Sequence, residues 1–120
     1  MAIEVYNELG QIDIADDVIA TIVGGAALEC YGLVGMSSRS QIKDGIAELL
    51  RRENLSKGIE VRTSEAGIDL DMYIIVGYGM KISEVANNVQ TRVRYALKQS
   101  LGLDVRTVNI FVQGVRLINV

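Results

Sequence analysis

Residues 68–103 read IDLDMYIIVGYGMKISEVANNVQTRVRYALKQSLGL, and this stretch decides the fold. Its first part alternates. Ile68, Leu70, Met72, Ile74 and Val76 take one side, while Asp69, Asp71 and Tyr73 take the other. A period of two marks a strand with one buried and one more polar face. After Gly77 the period changes. Ile82, Val85, Ala86, Val89, Val93, Ala96, Leu97 and Leu101 recur at helical spacing and predict a helix over 83–101. Gly102 stops it, with Leu103 placed for the apolar contact of a glycine cap.

The neighbours of this stretch extend the pattern in both directions. Upstream, 59–64 forms a second alternating run, joined to the first by Glu65-Ala66-Gly67, the clearest hairpin signal in the chain. Downstream, 104–113 reads as a last strand, with Val108, Ile110 and Val112 on one face. Nearer the N-terminus, Ile3 to Tyr6 reads as a short strand followed by the turn Asn-Glu-Leu-Gly. Ile12 and Ile14 lead into a helix over 16–31, with Asp16 and Asp17 in its first turn and Gly32 placed to stop it. A short strand over 33–37 follows. Ser40 is a candidate cap for a short helix carrying Ile42, Ile46, Leu49 and Leu50, ended by Asn54 or Gly58. The expected architecture is an α+β two-layer sandwich. A mixed sheet of about four to five strands carries two main helices on one face, with one additional short helix, in a single domain spanning 1–120.

Composition narrows the chemistry. The chain has 120 residues, of which 49% are hydrophobic, and a net charge of -3. It has no histidine and one cysteine, Cys30. That composition excludes an internal disulfide, Cys/His zinc sites, and Ser-His-Asp or Cys-His catalysis. The acidic balance gives no general attraction to nucleic acid. The N-terminal run lacks the pattern of a signal peptide, and no apolar run approaches the ~18 residues of a spanning helix, so a cytoplasmic domain is expected.

Several constellations remain as candidate sites. In VGYGMKIS, residues 76–83, the amides around Gly77 and Gly79 could approach an anion. Lys81 could pair with it, and Ser83 could cap the following helix. The spacing matches neither a P-loop nor a dinucleotide fingerprint, so an ordinary glycine turn with Ser83 as N-cap is the simpler account. Asp69 and Asp71 lie roughly 7 Å apart on the polar strand face. No nearby residue completes a metal shell, and a solvated sheet face is the simpler account. Arg92, Arg94, Tyr95 and Lys98 form a basic side of the long helix, fit for an acidic partner or for solvent. Cys30 projects with Ile19, Ile22, Val23 and Ala26, which predicts a buried thiol.

Gly24 and Gly25 stand inside a predicted helix at a cost of roughly 1 kcal/mol each. The main apolar stripe there is Val18, Ile19, Ile22, Val23, Ala26 and Cys30. Gly24 lies opposite it with Ala20, Ala27, Leu28 and Tyr31. This low-profile flank receives either the long helix of the same chain or another chain.

Three blocks carry a family resemblance. GQIDIADDVIATIVGGAALECYGLVGM (10–36), VGYGMKISEVANNVQTRVRYALKQSLGL (76–103) and VRTVNIFVQGV (105–115) together resemble the alkaline shock protein family, small envelope-stress proteins of Gram-positive bacteria. The chain departs from the family pattern at Ala15, where a serine often caps the first helix, and at KQSLGL, where Thr-Gly-Leu is more usual. The resemblance implies a cytoplasmic, non-enzymatic protein of cell-envelope homeostasis without a cofactor. It also implies a homo-oligomer with a protein partner, either a membrane anchor protein or a metabolic enzyme. Membrane association would then come only through that partner, with no nucleic acid and no direct membrane insertion. Two surfaces are candidates for contact: Ala20, Gly24, Ala27, Leu28 and Tyr31, and the basic side Arg92, Arg94, Tyr95 and Lys98. The alternative is a modulator of fatty-acid metabolism that binds a nucleotide, acyl phosphate or coenzyme A at Gly77, Gly79, Lys81 and Ser83.

Overall fold

The computed structural model describes residues 2–36, 58–64 and 66–117. The short helix expected over 40–50, and its end at Asn54, lie outside the described residues.

Strand β5 (Gly67–Gly77) organises the main sheet, and β4 (Ile59–Ser64) pairs antiparallel with its first half, Ser64 opposite Gly67. Strand β3 (Leu33–Met36) pairs antiparallel with its second half along the same edge. Met36 and Ile59 thus lie on the same edge of β5, opposite Ile74 and Met72. The other edge of β5 is taken by β6 (Val105–Arg116), parallel and reached through the long helix α2 (Ile82–Leu101). The result is the expected α+β arrangement with a mixed four-stranded sheet.

The last strand runs further than its alternation predicted. Register shifts between Ile68 and Asp69, and again between Ile74 and Ile75, leave Arg106 and Gln113 as extra residues in β6. Past the second shift Gly114 faces Ile75, so an apparent Gln-Gly stop is a bulge within a continuing strand.

Two N-terminal features differ from expectation. Residues 10–15 form a strand, β2 (Gly10–Ala15), paired antiparallel with β1 (Ala2–Asn7) in a separate two-stranded sheet. Helix α1 (Asp16–Leu28) ends before Tyr31, so Gly32 lies in the following turn. Ala15 does stand at the N-cap, with extended backbone and no side-chain hydrogen bond to the helix. Ala15→Ser is therefore expected to raise stability by about 1 kcal/mol, read as a higher urea midpoint at unchanged slope.

Both helices bury residues in one cluster with the apolar face of β5. Val85, Val89, Val93 and Leu97 come from α2, Ile19, Val23 and Ala27 from α1, and Leu70, Met72, Ile74 and Val76 from the strand. Helix α2 stops at Gly102, whose φ of 70° is left-handed. Its N–H donates to the Lys98 carbonyl and that of Leu103 to the Leu97 carbonyl, which satisfies two carbonyls the helix end would otherwise leave open.

Candidate interaction surfaces

The glycine turn after β5 consumes most of its own amides. Gly77 N–H donates to the Gly32 carbonyl at 2.9 Å, Tyr78 N–H to Arg116 at 2.7 Å, and Met80 N–H to Gly77 at 3.3 Å. The N-cap of α2 is Lys81, with no side-chain cap bond, so Ser83 is not the cap but sits exposed inside the first turn. The Lys81 ammonium lies 3.8 Å from Glu84. Gly77, Gly79, Lys81 and Ser83 therefore adjoin in space. The amides of Gly77, Tyr78 and Met80 serve the fold, and Gly79 supplies a left-handed φ of 90°.

The polar face of β5 is more enclosed than its alternation predicted. Asp69 and Tyr73 are buried, and Asp71 is half-buried. Asp69 accepts from Arg106 Nη2 through Oδ2 and from Thr107 Oγ1 through Oδ1, both at 2.6 Å. Asp71 Oδ1 accepts from Arg62 Nη2 at 2.8 Å and from Asn109 Nδ2 at 2.9 Å. Tyr73 stacks on Phe111 with ring centroids 5.1 Å apart. These carboxylates bind three strands together across the sheet. Among the described residues no three Asp, Glu or Cys side chains gather as a metal shell.

The hydrogen bonds of Thr107 and Arg106 hold the Asp69 carboxyl below its ordinary range. Burial pushes Asp71 up, but the donors Asn109 and Arg62 outweigh it and leave that carboxyl low as well. Both groups thus bind protons more weakly folded than unfolded. Their contribution to stability is complete above the unfolded carboxylate value of about 4 and is lost as pH falls through the lower folded values. Urea midpoints measured downward from neutral pH are expected to fall in that window, and less steeply in Asp71→Asn.

The basic side of α2 is largely occupied. The Arg92 guanidinium lies 3.6 Å from Glu29, and Lys98 lies 3.3 Å from Asp104. Arg94 donates to the carbonyls of Val105 at 2.6 Å and Arg106 at 3.1 Å, and Gln90 donates to Val108 at 2.9 Å. Arg94 and Gln90 thus fasten the first half of β6 to the helix above it. Tyr95 projects with 61% exposure. The role of Arg94 was hidden in the sequence because its acceptors lie across a turn, and backbone carbonyls carry no residue signature.

The small-residue flank of α1 divides. Ala20, Gly24 and Ala27 are buried within the fold, so a partner cannot reach them in the folded chain. Leu28 is half-buried, and Tyr31 is 81% exposed. Arg92 of α2 reaches Glu29 at the end of α1, and a groove of about 330 Å³ lined by Ile22, Gly25, Ala26, Glu29 and Ala96 opens between the helices. A second groove, of about 510 Å³, continues from Glu29 past Tyr31, Arg92 and Tyr95. Cys30 is buried beside it. Its thiol lies 3.8 Å from the Ala26 carbonyl, and burial pushes its pKa up.

No helix among the described residues is long and apolar enough to cross a membrane. A family model matches residues 4–117; it is that of the alkaline shock proteins, described as having a cell envelope-related function. The chain is 59% identical to the uncharacterized protein YloU of Bacillus subtilis (strain 168), over 99% of each chain. It is 46% identical to an uncharacterized protein of Streptococcus pyogenes, over 98% of each. A second Bacillus subtilis protein, the uncharacterized YqhY, is 34% identical over 92% of this chain and 80% of its own. No solved structure matches. With the family's three sequence blocks carried on the expected α+β frame, the chain belongs to the family of alkaline shock proteins, whose function is cell envelope-related.

Proposed function

We propose that this chain is a non-enzymatic, cytoplasmic protein of cell-envelope homeostasis and stress response that works by self-association and by binding a protein partner. A membrane anchor protein or a metabolic enzyme is the candidate partner. One observation carries the reading: large apolar side chains are exposed in groups. Tyr6, Leu9 and Ile12 stand on the β1–β2 hairpin, and Tyr31 and Tyr95 flank the helix seam. Tyr78, Val115 and Leu117 lie where β5 and β6 end. Single exposed apolar residues are ordinary, but grouped ones mark contact surfaces. The family description names an envelope role and no reaction.

Light scattering on the purified chain over a rising concentration series tests the reading. The weight-average mass is expected to grow above that of one chain. A mass that stays at one chain throughout would remove self-association as the working mode.

A further inference from the structure

We propose that the β1–β2 hairpin of one copy docks into the α1–α2 seam of a second copy and joins molecules head to tail. This inference rests on the self-association reading above and names the surfaces that carry it.

The hairpin is incomplete as a free-standing element. A two-stranded sheet alone is marginal in water and needs a further strand or a packed face. Its register places Ile3 opposite Ile14 and Val5 opposite Ile12 on one apolar face. Ile3 and Ile14 pack against the core, but the face continues beyond it. Ile12 is 50% exposed, and Leu9, at the tip, is 97% exposed. The tip is nevertheless held in shape, because Asn7 Oδ1 accepts from the N–H groups of Leu9 at 2.8 Å and Gly10 at 3.0 Å. A fixed apolar knob loses little conformational freedom on docking.

The opposite face is acidic and unbalanced. Glu4 stands directly opposite Asp13, a like-charged cross-strand pair that costs stability. Glu4 accepts from the Tyr6 hydroxyl and Asp13 from Gln11, and neither meets a cation among the described residues. Glu8 adds a third acid at the tip, and residues 1–17 contain no lysine or arginine.

The seam has the complementary features. Gly25, Ala26 and Ala96 keep its floor low, which leaves a concavity for an apolar side chain. Tyr31 and Tyr95 border the adjoining groove, and Arg92 lies within it. Lys98 stands one turn from Tyr95 on α2. The Arg92 and Lys98 side chains are 51% and 57% exposed, and their present partners are surface pairs of small value, so they can turn to Glu8 beside the knob of a docked hairpin at little cost. The hairpin does not fill its own seam, since Leu9 is free. Knob and groove are different surfaces, so the contact is heterologous and extends into chains unless its rotation closes a ring.

The test uses two variants of the full chain at exposed positions: Leu9→Asp, which spoils the knob, and Tyr95→Asp, which spoils the groove. Cooperative thermal unfolding at the wild-type temperature confirms that each is folded. Each alone is expected to associate at least about tenfold more weakly than wild type in light scattering. Mixed in equal amounts, they are expected to form a one-to-one dimer and nothing larger, because the mixture contains one intact hairpin and one intact seam per pair. Wild-type growth in either variant alone, or a mixture that stays monomeric, overturns the inference while the self-association reading survives. Loss of growth in Val115→Lys with none in Leu9→Asp would also overturn it, by placing the contact at the β6 edge. A wild type that never exceeds one chain defeats both.

Discussion

Gly32→Ala is expected to lower stability by about 3 kcal/mol, a fall in melting temperature of about 10–15 °C for a domain of this size. Two effects add. Gly32 has φ +93°, in the left-handed half of the map that side-chain-bearing residues occupy at a cost of about 1–2 kcal/mol. A Cβ there would also stand 2.8 Å from Val85 Cγ2 and 3.3 Å from Met80 Cγ. Met80 can bend away, but Val85 cannot. It is β-branched, 4% exposed, and fixed in the first turn of α2. The Gly32 carbonyl also accepts the Gly77 N–H, so the turn cannot shift without breaking the link between the start of β3 and the end of β5. Gly79→Ala separates the two effects. It has nearly the same φ, +90°, but nothing within 4 Å of its added Cβ. It is expected to cost only the backbone part, about 1–2 kcal/mol. Equal losses in the two variants, measured by urea unfolding, would show that α2 does not press on Gly32 as described.

The elements legible in the sequence were those whose pattern has one strong direction. The β4–β5 hairpin and α2 emerged where expected because each alternates or recurs against a clearly polar opposite side. The four residues α2 buries, Val85, Val89, Val93 and Leu97, all lie on its predicted stripe. Helix α1 has no such contrast. From Val18 to Leu28 only Thr21 is polar, so a wheel centred on bulk puts Val18 and Ile22 inside. The structure turns the helix toward Ala20 and Gly24, leaving Val18 45% exposed. Short side chains are what permit close packing, and counting hydrophobic bulk cannot register that.

The candidate surfaces were legible as residues but not as partners. Tyr31 and Tyr95, read as parts of two separate faces, border one groove because α1 ends beside α2. Glu29 was no part of either reading, yet it links the two helices through Arg92. The hairpin was missed because β2 offers only Ile12 and Ile14 as alternating apolar residues, and its pairing with β1 depends on the Asn7–Gly10 turn geometry rather than on hydrophobic content.

Gly24→Leu now carries the opposite expectation from that of a surface glycine. On an exposed contact face the change would strengthen the helix by about 1 kcal/mol and disturb only association. Gly24 is instead buried on the same side of α1 as Ala20 and Ala27, which are 4% and 0% exposed. Leucine would add four carbons at a buried position, and interiors are packed too densely to absorb them without moving α1. The expected net loss is about 3 kcal/mol, after the propensity gain is set against the overpacking. Gly25→Leu makes the comparison sharp. Gly25 is half-buried and lines the open groove of the seam, so its leucine can lie in that groove. That variant is expected to unfold at or above the wild-type urea midpoint and to lose self-association, since its side chain takes the place of the incoming knob. A Gly24→Leu protein as stable as wild type would show that this face of α1 lies open to partners, while loss of stability at Gly24 with loss of association at Gly25 would assign the adjacent glycines to different tasks.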